Sequence, residues 1–204
     1  MSDTSCVETH NYPHRMEIRA AHPSEQAAIE TVVAAAFEES ADGPVVQMIR
    51  ALDASGATRI SRVAFDDRIV GHVQLSKAWI DARSRLVDAL MLTPLSVVPE
   101  RQRQGLGTRL LEHALRTADE LGVAAVFLEG DWAFYGKRGF VRGASLQLLR
   151  PSLRIPEPAF QVARLSRYES WMTGLVIYPE SMWETDSVGL RDPRLATIEE
   201  ALNS

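Results

Sequence analysis

Apolar positions first settle into a pattern near Met16. The fifteen residues before it, Met1 to Arg15, hold two histidines, a proline and an asparagine without periodicity, and are expected to form a loosely ordered lead-in. Met16 to Ala20 alternates as a short strand does. From Ser24, the expected N-cap, apolar residues recur at helical spacing through Ile29, Val32, Val33, Ala36 and Phe37. Glu38 to Pro44 interrupts that pattern, and a second helix is predicted through Val46, Ile49 and Leu52. The period then falls to two. Ile60 to Phe65 and Ile69 to Ile80 read as a hairpin around Asp66-Asp67-Arg68, and a further strand runs from Leu86 to Val98. Leu106, Leu110, Leu111, Ala114, Leu115, Ala118 and Leu121 make one apolar helical stripe, stopped by Gly122.

Beyond that helix come a short buried-type strand (Val123 to Leu128), a helical turn around Trp132 to Lys137, and a strand from Phe140. A proline-rich connection (Pro151, Pro156, Pro158) leads to strands near Phe160 to Leu165 and Gly174 to Tyr178. The order predicts an α/β fold of the layered α+β kind, with a mixed, largely antiparallel sheet flanked by helices. One domain is expected over residues 16–180, followed by an acidic extension over 181–204 with a short helix from Pro193 to Leu202.

Composition narrows the class. The 204 residues are 46% hydrophobic and 24% charged, enough to bury a core without staples. Cys6 is the only cysteine, which suits a reducing cytoplasm and excludes both internal disulfides and cysteine-rich zinc sites. The first fifteen residues lack the apolar core of a secretory signal. The longest apolar stretch, Ala89 to Val98, is broken by Thr93, Pro94 and Ser96, so no membrane association is expected. The net charge of -5 argues against nucleic acid as a partner. That charge is uneven: residues 180–204 carry six acids against two arginines, whereas 101–154 carry nine basic residues against five acids. An acidic total thus conceals a basic region suited to a phosphorylated ligand.

That region contains the most informative run, Leu95 to Thr108, a strand passing through a turn into the long helix. Gly105 and Gly107 let the backbone approach an anion, and the unpaired N–H groups of a helix start point at it. Arg101, Arg103 and Arg109 add positive charge, and Gln102 a neutral donor. A Walker loop would need Lys-Ser/Thr after the second glycine, where Thr108-Arg109 stands, and a dinucleotide fingerprint would need a third glycine before Gly122. Taken alone, the two glycines are also consistent with a tight turn that binds nothing.

The Gln-x-x-Gly-x-Gly spacing of Gln102 to Gly107 resembles the acyl-CoA pyrophosphate motif of the GNAT superfamily of N-acetyltransferases. Phe134-Tyr135-Gly136-Lys137-Arg138-Gly139-Phe140 is similar to the family's Phe-Tyr-x-x-x-Gly-Phe segment, and Glu129 to Tyr135 resembles a bacterial branch of predicted acetyltransferases. The resemblance, strongest over Leu86 to Phe140, implies acetyl-CoA as the acyl donor, no metal, and splayed strands that form a cleft for the cofactor. It implies cofactor contacts from Leu95 and Val97 to the pantetheine arm, and from Gln102, Arg103, Gln104, Gly105, Leu106, Gly107 and Thr108 to the pyrophosphate. Pro94 within the strand fits the bulge that such a cleft needs. Tyr135 takes the place of the tyrosine that protonates the departing thiolate.

The implied reaction is direct attack of a primary amine, of a small molecule or a protein, on the thioester. Homodimer formation is left open. The general base is unassigned. The strand position where some relatives carry a glutamate is Met91, and Asp88, Glu129 and His72 are the neighbouring candidates, each with a structural reading of its own. Glu38, Glu39 and Asp42, between the first two helices, are candidates to attract a cationic acceptor. The missing carboxylate at Met91 keeps a second class in view, a non-catalytic acyl-CoA sensor.

Overall fold

The period-two segments pair as their alternation demands. In this computed structural model, which describes residues 16–190 together with Glu200 and Ala201, β2 (Thr58–Asp66) and β3 (Arg68–Ala82) form the expected antiparallel hairpin. Asp67 turns it with φ of 59°, a left-handed conformation that Asp adopts more readily than most residues. β1 (Glu17–Ala20) extends the sheet beyond β2, and β4 (Leu86–Val97) runs antiparallel along β3. β5 (Ala125–Glu129) joins β4 in parallel, a pairing that the α3 crossover between them makes possible. β6 (Val141–Arg142) and β8 (Phe160–Arg164) complete that side, in the order β1-β2-β3-β4-β5-β8-β6. The far end of β3 pairs with β9 (Gly174–Ile177), beside which lies β7 (Leu148–Leu149). The strand expected from Phe140 is thus only two residues long.

α1 (Gln26–Phe37) and α3 (Leu106–Glu120) pack on the same central strands from opposite faces, with α2 (Pro44–Ala54) beside α1. The α3 stripe is buried at Leu106, Leu110, Leu111, Ala114 and Ala118, whereas Leu121 lies past the helix and is 65% exposed. Ser24 does not cap α1. A 3-10 turn over Pro23–Glu25 comes first, His22 Nδ1 accepts the Ser24 N–H, and the Glu25 carboxylate takes the His22 N–H at 2.7 Å while Arg19 holds it at 2.6 Å. The reciprocal cap places the turn one step earlier than the apolar period suggests.

A short helix not anticipated from the pattern, α5 (Glu180–Glu184), opens the acidic extension and packs on α2, with Met182 buried and Ser55 Oγ donating to Ser181 Oγ. The lead-in Met1 to Arg15 and all of the Pro193–Leu202 helix except Glu200 and Ala201 lie outside the described residues. Among the described residues no helix is long and apolar enough to cross a membrane.

Gly71 sets how closely α3 approaches the sheet. A Cβ there would stand 2.8 Å from Leu110 Cδ1 and 3.2 Å from the Ser96 carbonyl oxygen. Gly71→Ala should therefore cost about 1–3 kcal/mol of stability through overpacking. The expected signature is a lower urea midpoint at unchanged slope, and an unchanged midpoint would contradict this packing.

Candidate functional site

The site begins where two strands part. β4 and β5 pair only at Leu90 with Val126 and Met91 with Phe127. On its other edge β4 continues along β3 to Val97, but Val73 faces Leu95 while Leu75 faces Leu92, so Gln74 stands opposite both Thr93 and Pro94. That is a bulge at the expected proline, and it bends β4 where β5 leaves it. Among the described residues, the β5-facing edge of β4 has no strand partner from Leu92 to Val97.

α3 starts at the end of this gap. Gly105, with φ of 81°, is its N-cap and has no side chain to satisfy the first-turn N–H groups; Arg103 is also left-handed, with φ of 58°. A cleft of about 550 Å³ runs from this turn along the open strand edge. Of the residues expected to hold the cofactor, Leu95, Val97, Gln102, Arg103, Gly105, Gly107 and Thr108 line it. The side chains of Gln104 and Leu106 do not. Gln104 donates to the Glu100 carbonyl, and Leu106 is buried in the core. Gln102 braces the loop by donating to the Val97 carbonyl at 3.0 Å. Gly107 keeps the cleft clear, since a Cβ on it would lie 3.8 to 3.9 Å from Phe134, Leu95 and Val97.

Arg138 is also part of this wall. Its guanidinium lies 3.6 Å above the Phe134 ring, and it donates to Thr108 Oγ1 and to the Phe134 carbonyl. It thereby ties α3 to α4 (Trp132–Tyr135). Spacing alone does not reveal this, because the pairing joins residues thirty apart. Lys137 faces a different hollow, beside Glu112 and Leu115.

Tyr135 marks the junction of the cleft with a second pocket of about 420 Å³, since Tyr135, Leu95 and Asp131 line both. Its ring packs edge-on against Phe134 at 4.9 Å and Phe140 at 5.5 Å, and lies where a Cβ on Gly130 would come within 2.7 Å. Burial pushes its phenol up to about 12. The second pocket is walled by Phe37, Val45 and Met48 from the first two helices, Met91 from β4 and Met182 from α5, with Glu129 in its lining.

The structure separates the three candidate bases. Asp88 lies on another hollow, beside Trp79 and Val123. His72 is fully buried, shares a 2.9 Å hydrogen bond with Ser61, and is driven down to about 3 by burial. Glu129 alone reaches the second pocket. It ends β5 rather than starting α4, whose cap is Asp131, accepting from the Ala133 N–H at 2.9 Å. Glu129 Oε2 accepts the Gly189 N–H at 3.0 Å, while among the described residues Oε1 is buried without a hydrogen bond of ordinary geometry, and the buried Tyr178 hydroxyl, likewise unpaired, lies near the carboxyl. Burial raises its carboxyl to about 7, against the opposing pull of the Gly189 N–H, the Tyr178 hydroxyl and Arg154. Of the acids between α1 and α2, Glu39 accepts the Val45 N–H at the start of α2, Asp42 pairs with Arg50 at 2.7 Å, and Glu38 ends α1 in a left-handed conformation.

Known proteins are similar to this chain in sequence and fold. The sequence profile of the Acetyltransferase (GNAT) family matches residues 25–140. The uncharacterized N-acetyltransferase YhbS of Escherichia coli K12 is 32% identical over 170 residues, spanning 81% of this chain and 97% of that protein. A crystal structure of E. coli YhbS in complex with CoA superposes with a TM-score of 0.74 at 28% identity, covering 89% of this chain and 95% of that one. A GNAT family acetyltransferase from Brucella melitensis in complex with acetyl-CoA gives 0.66 at 27% identity, over 83% and 99%.

The carboxyl of Glu129 carries a stability signature. An acid whose folded value lies near 7 binds its proton more tightly folded than unfolded, so wild-type stability falls as pH rises from about 4.5 to about 7. Glu129→Gln removes this loss. Its stability relative to wild type should climb across that window by at most about 3 kcal/mol and level off above it. Parallel urea-denaturation series at stepped pH measure the difference, and a constant offset would show an ordinary solvated carboxylate.

Proposed function

We propose a function from one premise: the chain belongs to the Acetyltransferase (GNAT) family. By that membership it is an acyltransferase. The reading its site supports best is transfer of acetyl from acetyl-CoA to a primary amine, of a small molecule or a protein, by direct attack on the thioester. One observation carries it: the cleft between the parted strands runs from the glycine-rich start of α3 to Tyr135, where a second pocket meets it. The cleft suits each part of the cofactor in turn. Uncapped N–H groups and Arg103 suit a pyrophosphate, an open strand edge suits the amides of the pantetheine arm, and the junction suits the thioester. Solved relatives at 28% and 27% identity hold CoA and acetyl-CoA.

In this reading the backbone of Gln102 to Thr108 binds the phosphates, and Leu95 and Val97 bind the pantetheine arm through their main chains. The amine forms its bond to the acetyl carbon as the carbon–sulfur bond breaks. A backbone N–H of the bulged strand stabilises the charge that gathers on the carbonyl oxygen. Tyr135 then protonates the sulfur. Its raised value keeps the phenol intact at neutral pH, as a donor requires.

Acetyl-CoA at a hundred times its dissociation constant should stabilise the protein by about 2.7 kcal/mol in thermal melts. No shift would remove the reading. Gly107→Asp puts a side chain and a negative charge into the cleft without a backbone clash, so it should fold normally and lose at least about tenfold in acetyl-CoA affinity. Tyr135→Phe should keep that affinity within about twofold and lower kcat about a hundredfold or more, followed by thiol release. Equal rates in wild type and Tyr135→Phe would dismiss the acid role. If both bound acetyl-CoA and neither released thiol with any amine, the protein would be a sensor.

A further inference from the structure

The second pocket presents apolar walls around one buried carboxylate. Phe37, Val45, Met48, Met91, Leu92 and Met182 come from four different elements to build those walls. Among its lining residues only Glu129 and Asp131 are charged, and Asp131 is exposed and spends an oxygen on the cap of α4. Glu129 is held at one oxygen by Gly189 and left unpaired at the other, inside the fold. A buried acceptor without a partner is destabilising, and the substrate can supply the missing partner.

We propose that Glu129 is the catalytic base, taking the acceptor's ammonium proton on Oε1, and that this pocket selects a primary amine carried on an apolar alkyl or aryl body. The proposal rests on the acetyl-transfer reading above. The acceptor enters as an ammonium ion and gives one proton to Glu129, which releases it to solvent after turnover. The freed nitrogen lone pair forms the carbon–nitrogen bond, and the carbon–sulfur electron pair leaves with sulfur. Sulfur takes the phenolic proton of Tyr135, and the second proton lost by nitrogen restores the phenol. The balance is acetyl-CoA plus ammonium giving amide, CoA thiol and one free proton.

The walls decide what carries the amine. Away from Asp131, which lies at the junction with the cleft, a second ammonium or a carboxylate on the acceptor would be desolvated against Met, Phe, Val and Leu, whereas an alkyl or aryl body fits there, and methionine walls adjust to its shape. The charged and titratable groups near Glu129 are Tyr178 at the end of β9, Arg154 from the loop before β8, and Asp131 and Tyr135 after β5. Burial raises both tyrosines, so neither titrates near neutrality, and Arg154 is bonded to Asp186 at 3.4 Å. A carboxyl poised near 7 exchanges protons readily with both substrate and water at physiological pH.

The test uses phenethylamine and hexylamine against spermidine and lysine amide, with acetyl-CoA affinity measured separately by calorimetry. Wild type should favour the first pair by at least about tenfold in kcat/KM. Its profile should rise to a plateau above about pH 7. Glu129→Gln should lower kcat/KM for phenethylamine about a hundredfold at pH 7 and rise without a plateau, following the free amine, while binding acetyl-CoA within about twofold of wild type. An unchanged rate, or a retained plateau, overturns the base. Preference for spermidine or lysine amide, or no turnover of any amine by a wild type that binds acetyl-CoA, overturns the acceptor class. If Glu129→Gln does not fold, the wild-type profile decides, and absence of the limb near 7 overturns the base. Failure of wild type to bind acetyl-CoA would remove the acetyl-transfer reading itself.

Discussion

A strand edge left open inside a sheet carries N–H and C=O groups that must meet water or a ligand. β4 has such an edge from Leu92 to Val97, because β5 leaves it after Met91. The rest of the molecule is arranged around that parting. β3 stays paired to β4 on the opposite edge and holds the open stretch in place, while the bulge at Thr93 and Pro94 bends it away from β5. α3 begins where the gap ends, so its uncapped first turn faces into the opening. Had β5 followed β4 to Val97, the ladder would be complete and the two pockets would be closed.

The opening is walled by residues far apart in the chain. Phe134 and Tyr135 reach it because α4 directly follows β5, and Gly130 gives the Tyr135 ring its place. Arg138 bridges from Phe134 to Thr108 and fixes the distance between the two helices that flank the cleft. On the other side, the acidic extension returns across the body: Met182 supplies a pocket wall and Gly189 holds Glu129. Gly189 has φ of 66°, and a Cβ there would stand 2.6 Å from the Arg154 backbone, so the segment that reaches Glu129 can pass only without a side chain.

Local pattern made the sheet and the three long helices legible, and the motif resemblance pointed to an opening beside the start of α3. Alternation fixes β2, β3 and β4, the 3.6 period fixes α3, and the glycines at 105 and 107 stand at a junction that only a strand-to-helix turn creates. What sequence left hidden depends on contacts between distant segments. α5 is five residues long and is held by α2 rather than by its own period. Arg138 has the composition of a surface residue and the position of a wall. Glu129 closes β5, and the helix that follows is capped by Asp131, two residues on, so only the returning extension reveals what surrounds its carboxyl. The acids between α1 and α2 are the reverse case, suggestive in sequence yet engaged by Val45 and Arg50.

Burial acts on the two groups beside the junction in the same direction and with different consequences. A phenol starts near 10, so desolvation only makes its proton harder to lose, and Tyr135 remains a donor throughout the physiological range. A carboxyl starts near 4.5, and the same penalty carries Glu129 into the range where it both gains and loses protons. In the proposed acetyl transfer, which would remove a proton from nitrogen and deliver one to sulfur, one source of desolvation would prepare both ends. That source is the apolar enclosure formed by the ends of α1 and α2, the bulged strand and the returning extension. Opening it to water would return both groups toward their ordinary values, so the proton chemistry depends on the extension as much as on the motif-bearing half of the chain.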